Sequence, residues 1–247
     1  MNTLRACWKL TRVAVHIAAG LGTITLFFPR LNQTQREERI QVWAQTLLAK
    51  IAINLVVVGE PPVQGPVLLA ANHISWLDIV VMLASCPCRF VSKAEVGQWP
   101  VVGTLTRAAG TLFITRSSRR DALRVVHQMV EKLHVDSNVV LAIFPEGTTS
   151  NGQQVLPFHA NLFQAAISAN APVQPVALRF EYVASNQPSL APCYIDDDTL
   201  LGSVWRTLSA PRQRVVLKFG DRQHCEGRNR QTWALDARTA VEDLLRA

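Results

Sequence analysis

The stretch Val67–Asp78, with the sequence VLLAANHISWLD, combines the pattern of a buried strand with a cluster of polar residues. Five apolar residues without alternation are typical of a strand that is covered on both faces, as in a parallel sheet. The polar residues follow directly, at the point where such a strand ends. Open α/β sheets bind ligands at the carboxyl ends of their strands, so this stretch indicates both a fold class and the place of a site.

The pattern continues over residues 54–247, where short β-branched runs alternate with helical stretches. The predicted strands are Leu55–Val58, Val67–Ala71, Arg89–Ser92, Thr111–Thr115, Val139–Phe144, Val173–Phe180 and Arg214–Phe219. The predicted helices are Trp76–Ser85, Val101–Ala109, Arg119–Val135, Phe158–Asn170 and a last one from about Thr232 to Arg246. This alternation predicts an α/β fold with a largely parallel sheet flanked by helices. Because no linker or repeat interrupts residues 54–247, we expect one domain there.

The beginning of the chain has a different character. Val13–Phe28 is mostly apolar, is preceded by the cations Arg5, Lys9 and Arg12, and is followed by Pro29. As a helix, a segment of this length spans roughly 24 Å, which is less than the ~30 Å hydrocarbon core of a bilayer. A shallow or re-entrant anchor is therefore favoured over a membrane span, and a buried core helix is the alternative.

A second helical pattern follows this apolar run. Thr34-x-x-Glu37 predicts a capping box at its start. The apolar residues that recur at helical spacing are Ile40, Trp43, Ala44, Leu47, Leu48, Ile51 and Ala52. Such a stripe usually packs in a core, but beside an apolar anchor it is also suited to a bilayer interface. We interpret residues 1–53 as a helical membrane-binding unit.

The composition limits the classes of partner. The 247 residues carry a formal net charge of +7, with 49% hydrophobic and 17% charged residues. The charge suits nucleic acid, an anionic bilayer or a phosphorylated substrate, and the apolar excess favours the bilayer. No aromatic-basic pattern of nucleic-acid binding occurs, so we expect no nucleic-acid partner. The five cysteines form no disulfide framework, and Cys86 and Cys88 are better explained as buried thiols than as half of a metal site.

His73 and Asp78 form the first candidate pair. On one helix, residues five apart point in different directions, but across a loop-to-helix corner they can meet. Asp78 would then fix the tautomer of His73 and leave the other ring nitrogen free to take a proton. In the alternative interpretation, Ser75-x-x-Asp78 only caps the helix and His73 has no task. From this stretch alone the two interpretations are even.

A second polar loop, residues 144–152 with the sequence FPEGTTSNG, follows another predicted strand. Gly147 and the hydroxyl residues after it can turn backbone N–H groups toward a phosphate or an oxyanion, although a simple turn is more common. Lys93 and Arg116 leave two further strands, and each alone is most often a solvated cation. Together they would place positive charge beside His73, as a phosphorylated substrate needs.

Four blocks of this sequence occur in the order and spacing of the four motifs of the glycerolipid acyltransferases. They are His73-x4-Asp78, Gly110 to Arg116, Phe144-Pro145-Glu146-Gly147, and Pro172 to Val176. On these blocks, roughly residues 54–220 resemble the bacterial lysophospholipid acyltransferases, which include the 1-acylglycerol-3-phosphate enzymes. The resemblance favours the catalytic interpretation of His73.

The resemblance also implies a mechanism without a covalent enzyme intermediate. His73 would take the proton of a lysolipid hydroxyl, with Asp78 orienting it, and the oxygen would attack the thioester of acyl-CoA or acyl-acyl carrier protein. No metal or cofactor besides that co-substrate is implied. The expected place is the cytoplasmic face of the inner membrane, with the bilayer as a partner. The substrate-binding residues carried over are Lys93, Arg116, Glu146, Gly147, Thr148 and Thr149.

One position departs from the pattern of the lysophosphatidate enzymes. They carry an arginine where this chain has Thr149, and a lost charge-assisted contact costs roughly 1.5–3 kcal/mol. The stretch from Gly147 to Phe158, with Tyr194 and Trp205, is closer to the lyso-ornithine lipid acyltransferases. We expect lysophosphatidate as the acceptor, with lyso-ornithine lipid as the alternative. Two readings of another kind stay open: a non-enzymatic basic membrane-binding protein, and a lipid hydrolase in which water replaces the acceptor.

Overall fold

The structure is a computed structural model that describes residues 2–114, 119–135 and 138–247. In these residues, seven strands form one sheet in the order β1-β7-β6-β2-β5-β3-β4. The strands are β1 Ile53–Val58, β2 Val67–Ala71, β3 Arg89–Lys93, β4 Leu112–Ile114, β5 Val140–Ile143, β6 Val173–Tyr182 and β7 Gln213–Phe219. Neighbouring strands from β6 to β4 pair in parallel, β7 runs antiparallel to β6, and β1 runs parallel to β7. The predicted α/β fold with a largely parallel sheet is confirmed.

Helices cover both faces of this sheet. They are α1 Asn2–Leu26, α2 Gln33–Ile51, α3 Leu77–Ser85, α4 Ala94–Gln98, α5 Val102–Ala108, α6 Arg119–Val135, α7 Phe163–Ser168, α8 Leu200–Ser209 and α9 Arg230–Arg246. In β2, Val67, Leu69 and Ala71 pack into a core with α2, α3 and α8, whereas Leu68 and Ala70 pack into a second core with α6, α7 and α9. The alternation of side chains along a strand produces this division. It explains why β2 is apolar at every position.

The first two helices cross closely at one point. The His16 ring stacks on Trp43 with 5.1 Å between ring centroids, and His16 Nε2 donates to the Trp43 carbonyl over 3.0 Å. Gly20 permits this approach, because a Cβ there would lie 2.5 Å from Trp43 Nε1. Four side chains of α2, from Ala44 to Ile51, are buried in the core beneath the sheet. Among the described helices, none combines the length and the apolar character needed to cross a membrane.

Several details of the helices differ from the predictions. The capping box of α2 is formed by Asn32 and Gln35, so the prediction of Thr34 and Glu37 was wrong. The predicted helix Phe158–Asn170 is shorter, with a 3-10 turn at Ala160–Leu162 before α7. The helices α4 and α8 were not predicted. These differences lie at helix ends and in short elements, where local patterns carry little information.

Candidate active site

His73 and Asp78 meet at the corner between β2 and α3. Since β2 ends at Ala71 and α3 begins at Leu77, His73 lies in the connecting loop and Asp78 lies in the first helical turn. His73 Nδ1 donates to Asp78 Oδ2 over 2.8 Å. The Asp78 side chain is fully buried, whereas the His73 side chain is 18% exposed. A buried carboxylate on Nδ1 holds the ring proton there and leaves Nε2 as the basic nitrogen.

The same oxygen of Asp78 also binds the loop. Oδ2 accepts hydrogen bonds from the backbone nitrogens of Ile74, over 2.6 Å, and Ser75, over 2.9 Å. Trp76, the residue before α3, makes no side-chain capping bond. Asp78 therefore makes both kinds of contact that the sequence presented as alternatives: it binds the backbone at the helix start and the ring of His73.

The His73 ring is held from its face as well. It stacks on Phe144 with 4.0 Å between centroids and an interplanar angle of 9°. Phe144 in turn stacks on Phe90 at 5.7 Å. Within the described part of the chain, Nε2 of His73 has no hydrogen-bond partner. The ring is thus fixed at one edge and one face, while its basic nitrogen stays available.

Glu146 connects the second polar loop to His73. Glu146 Oε1 accepts from the His73 backbone nitrogen over 2.8 Å, and Oε2 accepts from the nitrogen of Leu156 over 3.1 Å. The Ser150 nitrogen donates to the His73 carbonyl over 2.9 Å. Burial raises the pKa of Glu146 to about 7, although the hydrogen bonds from the His73 and Leu156 nitrogens lower it. The two polar loops share one edge of the sheet, as the sequence predicted.

The turn after Glu146 offers two backbone donors. Gly147 has a positive φ of 72° and its nitrogen donates to Phe144, so this N–H closes the turn. The backbone nitrogens of Thr148 and Thr149 donate to no other described residue. The Thr149 hydroxyl donates to the carbonyl of Tyr194. The turn can therefore present N–H groups to an anion, whereas the proton of the Thr149 hydroxyl is already donated to Tyr194.

Of the two predicted cations, Lys93 lies within the described residues. Lys93 is the last residue of β3, is exposed, and pairs in register with Ile114 at the end of β4. Both strand ends lie at the same edge as the His73 loop, since β2, β5, β3 and β4 are parallel neighbours. Arg116 lies outside the described residues. Lys93 thus stands at the expected edge, two strands away from β2.

A further segment, of which the sequence analysis named only Tyr194, adjoins the His73 loop. Residues Ala191–Ile195, which we call the strap, follow β6 in the sequence and are hydrogen-bonded to the loop that carries His73. The Tyr194 nitrogen donates to the Ile74 carbonyl over 3.0 Å. The Ser75 hydroxyl donates to the Pro192 carbonyl over 2.5 Å. The strap is therefore bonded to both residues that follow His73.

Side chains of helix α8 donate hydrogen bonds to the strap. Arg206 donates through Nε to the Ala191 carbonyl over 3.1 Å and through Nη2 to the Cys193 carbonyl. Ser203 also donates to Cys193, over 3.3 Å, and Thr207 donates to Ala191 over 3.2 Å. Together with Ser75 and Thr149, these side chains donate hydrogen bonds to all four consecutive carbonyls of residues 191–194. The strap is held in one conformation by neighbours on two sides.

A cleft of about 510 Å³ opens beside the strap. The residues around it are Asn151, Leu190, Cys193, Ile195, Asp196, Asp197, Asp198 and Arg206. Arg206 binds both oxygens of Asp198, at 2.9 and 2.8 Å, and this holds the pKa of Asp198 at about 2. Asp196 and Asp197 are exposed. Burial raises the pKa of Cys193 to about 11, so its thiol is neutral at physiological pH.

The chain is similar to known proteins in three comparisons. The model of the Acyltransferase family matches residues 39–179. The lyso-ornithine lipid O-acyltransferase of Pseudomonas aeruginosa is 36% identical over 98% of this chain and 93% of its own length. A 1-acyl-sn-glycerol-3-phosphate acyltransferase of Neisseria gonorrhoeae is 42% identical over 70% of this chain and 66% of its own length.

The fold has a counterpart among solved structures. The crystal structure of PlsC, the 1-acyl-sn-glycerophosphate acyltransferase of Thermotoga maritima, superposes with a TM-score of 0.70 over 98% of this chain and 95% of that chain, at 21% identity. The family match covers more than half of the chain and includes both polar loops. The chain belongs to the acyltransferase family, and it is an acyltransferase.

Proposed function

We propose that this acyltransferase moves a fatty acyl group from a thioester, acyl-CoA or acyl-acyl carrier protein, to the free hydroxyl of a lysolipid. The observation that carries the proposal is the 2.8 Å hydrogen bond between His73 Nδ1 and the buried Asp78, together with an Nε2 that no described residue binds. This arrangement is that of a general base for a hydroxyl nucleophile. The proposed chemistry uses groups of this chain, the acceptor hydroxyl and the acyl thioester, with no metal or further cofactor.

The proposed reaction has two steps. Nε2 of His73 removes the proton of the acceptor hydroxyl while the hydroxyl oxygen attacks the carbonyl carbon of the thioester. The negative charge of Asp78 stabilises the imidazolium that forms. The tetrahedral intermediate then collapses, the carbon–sulfur bond breaks, and the thiol leaves with the proton from His73. The product is an ester of the lysolipid, and no acyl group is bound to the enzyme at any stage.

The backbone nitrogens of Thr148 and Thr149 are the candidate donors for the oxyanion of that intermediate. Both belong to the turn that Glu146 ties to His73, so their position relative to the base is fixed by the 2.8 Å bond at Glu146 Oε1. Preorganised N–H groups at such a place are commonly worth about 10²–10³ in rate. The Gly147 φ of 72° shapes the turn.

Two acceptor headgroups are supported by different features. Lys93, with Arg116 from the resemblance, suits the phosphate of lysophosphatidate, the acceptor named for the Neisseria relative. An amino-bearing lysolipid, as named for the Pseudomonas relative, is supported by the lack of a cation at Thr149 and by the exposed Asp196 and Asp197 at the cleft. We favour the amino-bearing lysolipid, because that relative matches over nearly the whole chain and carboxylates attract ammonium groups.

Residues 1–53 are proposed as the membrane-binding unit and residues 54–247 as the acyltransferase domain. The unit would meet the bilayer through α1, because the apolar stripe of α2 is buried in the core. The first 36 residues contain five Lys and Arg and no acidic residue. On α1, Leu4 is 80% and Trp8 is 64% exposed. Exposed apolar side chains next to cations suit the surface of an anionic bilayer. The inner membrane, from its cytoplasmic face, is the proposed location because both acyl donors are cytoplasmic.

One experiment tests this function. Purified protein in detergent micelles is given lyso-ornithine lipid, lysophosphatidate or no acceptor, each with acyl-CoA and with acyl-acyl carrier protein. The expected result is an esterified lipid that appears only when an acceptor is present. Free fatty acid that forms at the same rate without an acceptor would instead identify a hydrolase. Absence of turnover with every donor and acceptor would contradict the proposal.

A further inference from the structure

The strap Ala191–Ile195 lies between two parts of the site that must cooperate. One surface of it lines the cleft through Cys193 and Ile195. Its backbone is bonded to the two residues after His73, through the Tyr194–Ile74 and Ser75–Pro192 hydrogen bonds. A shift of the strap would therefore change both the width of the cleft and its distance from the base.

The His73 ring does not depend on the strap in the same way. Asp78 binds its Nδ1, and Phe144 packs against its face. The His73 nitrogen and carbonyl are bound by Glu146 and Ser150 of the second loop. None of these contacts is made by a residue of the strap. The strap can therefore alter which acceptor fits without removing the base.

Thr149 is the residue through which the second loop holds the strap. Its hydroxyl donates to the Tyr194 carbonyl. The carbonyls of residues 191–193 are bound by Ser75 or by side chains of α8, and the Ile195 carbonyl accepts from the Asp198 nitrogen, so Thr149 supplies the contact on the side of the turn. The Thr149 side chain is half-buried at this contact. Its effect on an acceptor is thus expected to pass through the strap.

We propose that the strap Ala191–Ile195 determines which lysolipid headgroup is accepted, and that Thr149 is the positioning residue that fixes it. This inference rests on the proposed function. The headgroup occupies the cleft beside Cys193 and Ile195 while the acceptor hydroxyl lies at His73 Nε2. The strap sets the spacing between these two points, and that spacing discriminates between headgroups of different size.

The test compares Thr149→Val, which keeps the shape but removes the donor, with Thr149→Ser, which keeps the donor. kcat and KM are measured for lyso-ornithine lipid and for lysophosphatidate, and the ratio of the two kcat/KM values is the readout. Thr149→Val should change that ratio at least about threefold, because one neutral hydrogen bond is commonly worth about two- to twelvefold. Thr149→Ser should stay within about twofold of the wild type, since its hydroxyl can make the same bond.

The outcomes separate the inference from the function on which it rests. If the wild-type protein acylates neither lipid, the proposed function fails. If it acylates at least one and Thr149→Val lowers both kcat/KM values equally, the role of Thr149 is structural and the inference fails. It also fails if Thr149→Ser behaves like Thr149→Val. Should Thr149→Val not fold, Thr207→Val removes a donor to the Ala191 carbonyl from behind the strap, and the same ratio decides.

Discussion

A single oxygen of Asp78 lies 2.8 Å from His73 Nδ1 and 2.6 Å from the backbone nitrogen of Ile74. The carboxylate that orients the ring therefore also shapes the loop on which the ring stands. An oxygen with three donors is a strong acceptor, and its burial makes each of these bonds more sensitive to the loss of charge. The base and its loop are positioned by one group.

Replacement of Asp78 by asparagine tests this double role. The amide keeps the size of the side chain but cannot stabilise an imidazolium as a carboxylate does. We expect kcat for acyl transfer to fall by about 10²-fold or more, within the range typical of general-base catalysis. Asp243→Asn, at an exposed position on α9, serves as the control and should keep full activity. A variant at Asp78 with lower thermal stability and unchanged kcat would show that the residue only caps the helix.

The buried Glu146 predicts a specific dependence of stability on pH. Its pKa is about 7 in the folded protein and 4.5 in the reference state, so folding takes up a proton between these values. A raised folded-state pKa contributes stability that is fully present below pH 4.5 and is lost as the pH rises through about 7. The glutamine of Glu146→Gln cannot titrate, so the variant lacks this contribution to the change of the unfolding free energy with pH.

The measurement is the free energy of unfolding in urea, for wild type and Glu146→Gln, at several pH values across this window. The difference between the two proteins should shift in favour of the variant as the pH rises. Other carboxylates affect both proteins equally and cancel in the difference. A difference that stays constant with pH would show that burial does not raise the pKa of Glu146.

The strands could be predicted well from the sequence because their signal is local. β2 is apolar at each of its five positions, since both faces of a central parallel strand are covered, and its predicted bounds agree with the structure. The same stretch allowed the approach of Asp78 to His73, because a strand that ends in a loop before a helix creates a corner, but it favoured a purely capping role of Asp78 equally. The hydrogen bond between Glu146 and the His73 backbone was not predictable, because it joins residues 73 positions apart.

The strap and α8 show where prediction from the sequence stops. The strap shows no periodic pattern of apolar residues. Its conformation depends on hydrogen bonds from Thr149, which is distant in the sequence, and from Arg206, which lies in the next helix. The start of α2 was misplaced for a simpler reason. Asn32 and Thr34 are both good N-cap residues, and each is followed three positions later by a suitable partner. Only the packing of the chain chooses between them.

The exposed side chains of α1 predict membrane contact. In a double variant, Leu4→Ala with Trp8→Ala, binding to vesicles of anionic phospholipid should fall at least about tenfold, because burial of one large apolar side chain is worth about 1.5–3 kcal/mol. Leu235→Ala on α9 is the matched control, since Leu235 is 60% exposed but lies outside the proposed membrane-binding unit. Co-sedimentation measures both. If the double variant binds as well as the control, α1 does not contact the bilayer.

The central claim is that His73 is the base of an acyl transfer to a lysolipid, and one assay tests it most directly. Thioester-dependent formation of the esterified lipid is measured for wild type, His73→Ala and His127→Ala, the last at an exposed position of α6. We predict a fall of about 10²–10⁴-fold for His73→Ala, with an unchanged melting temperature and with His127→Ala as active as wild type. A folded His73→Ala protein that retains near-normal turnover would contradict the claim.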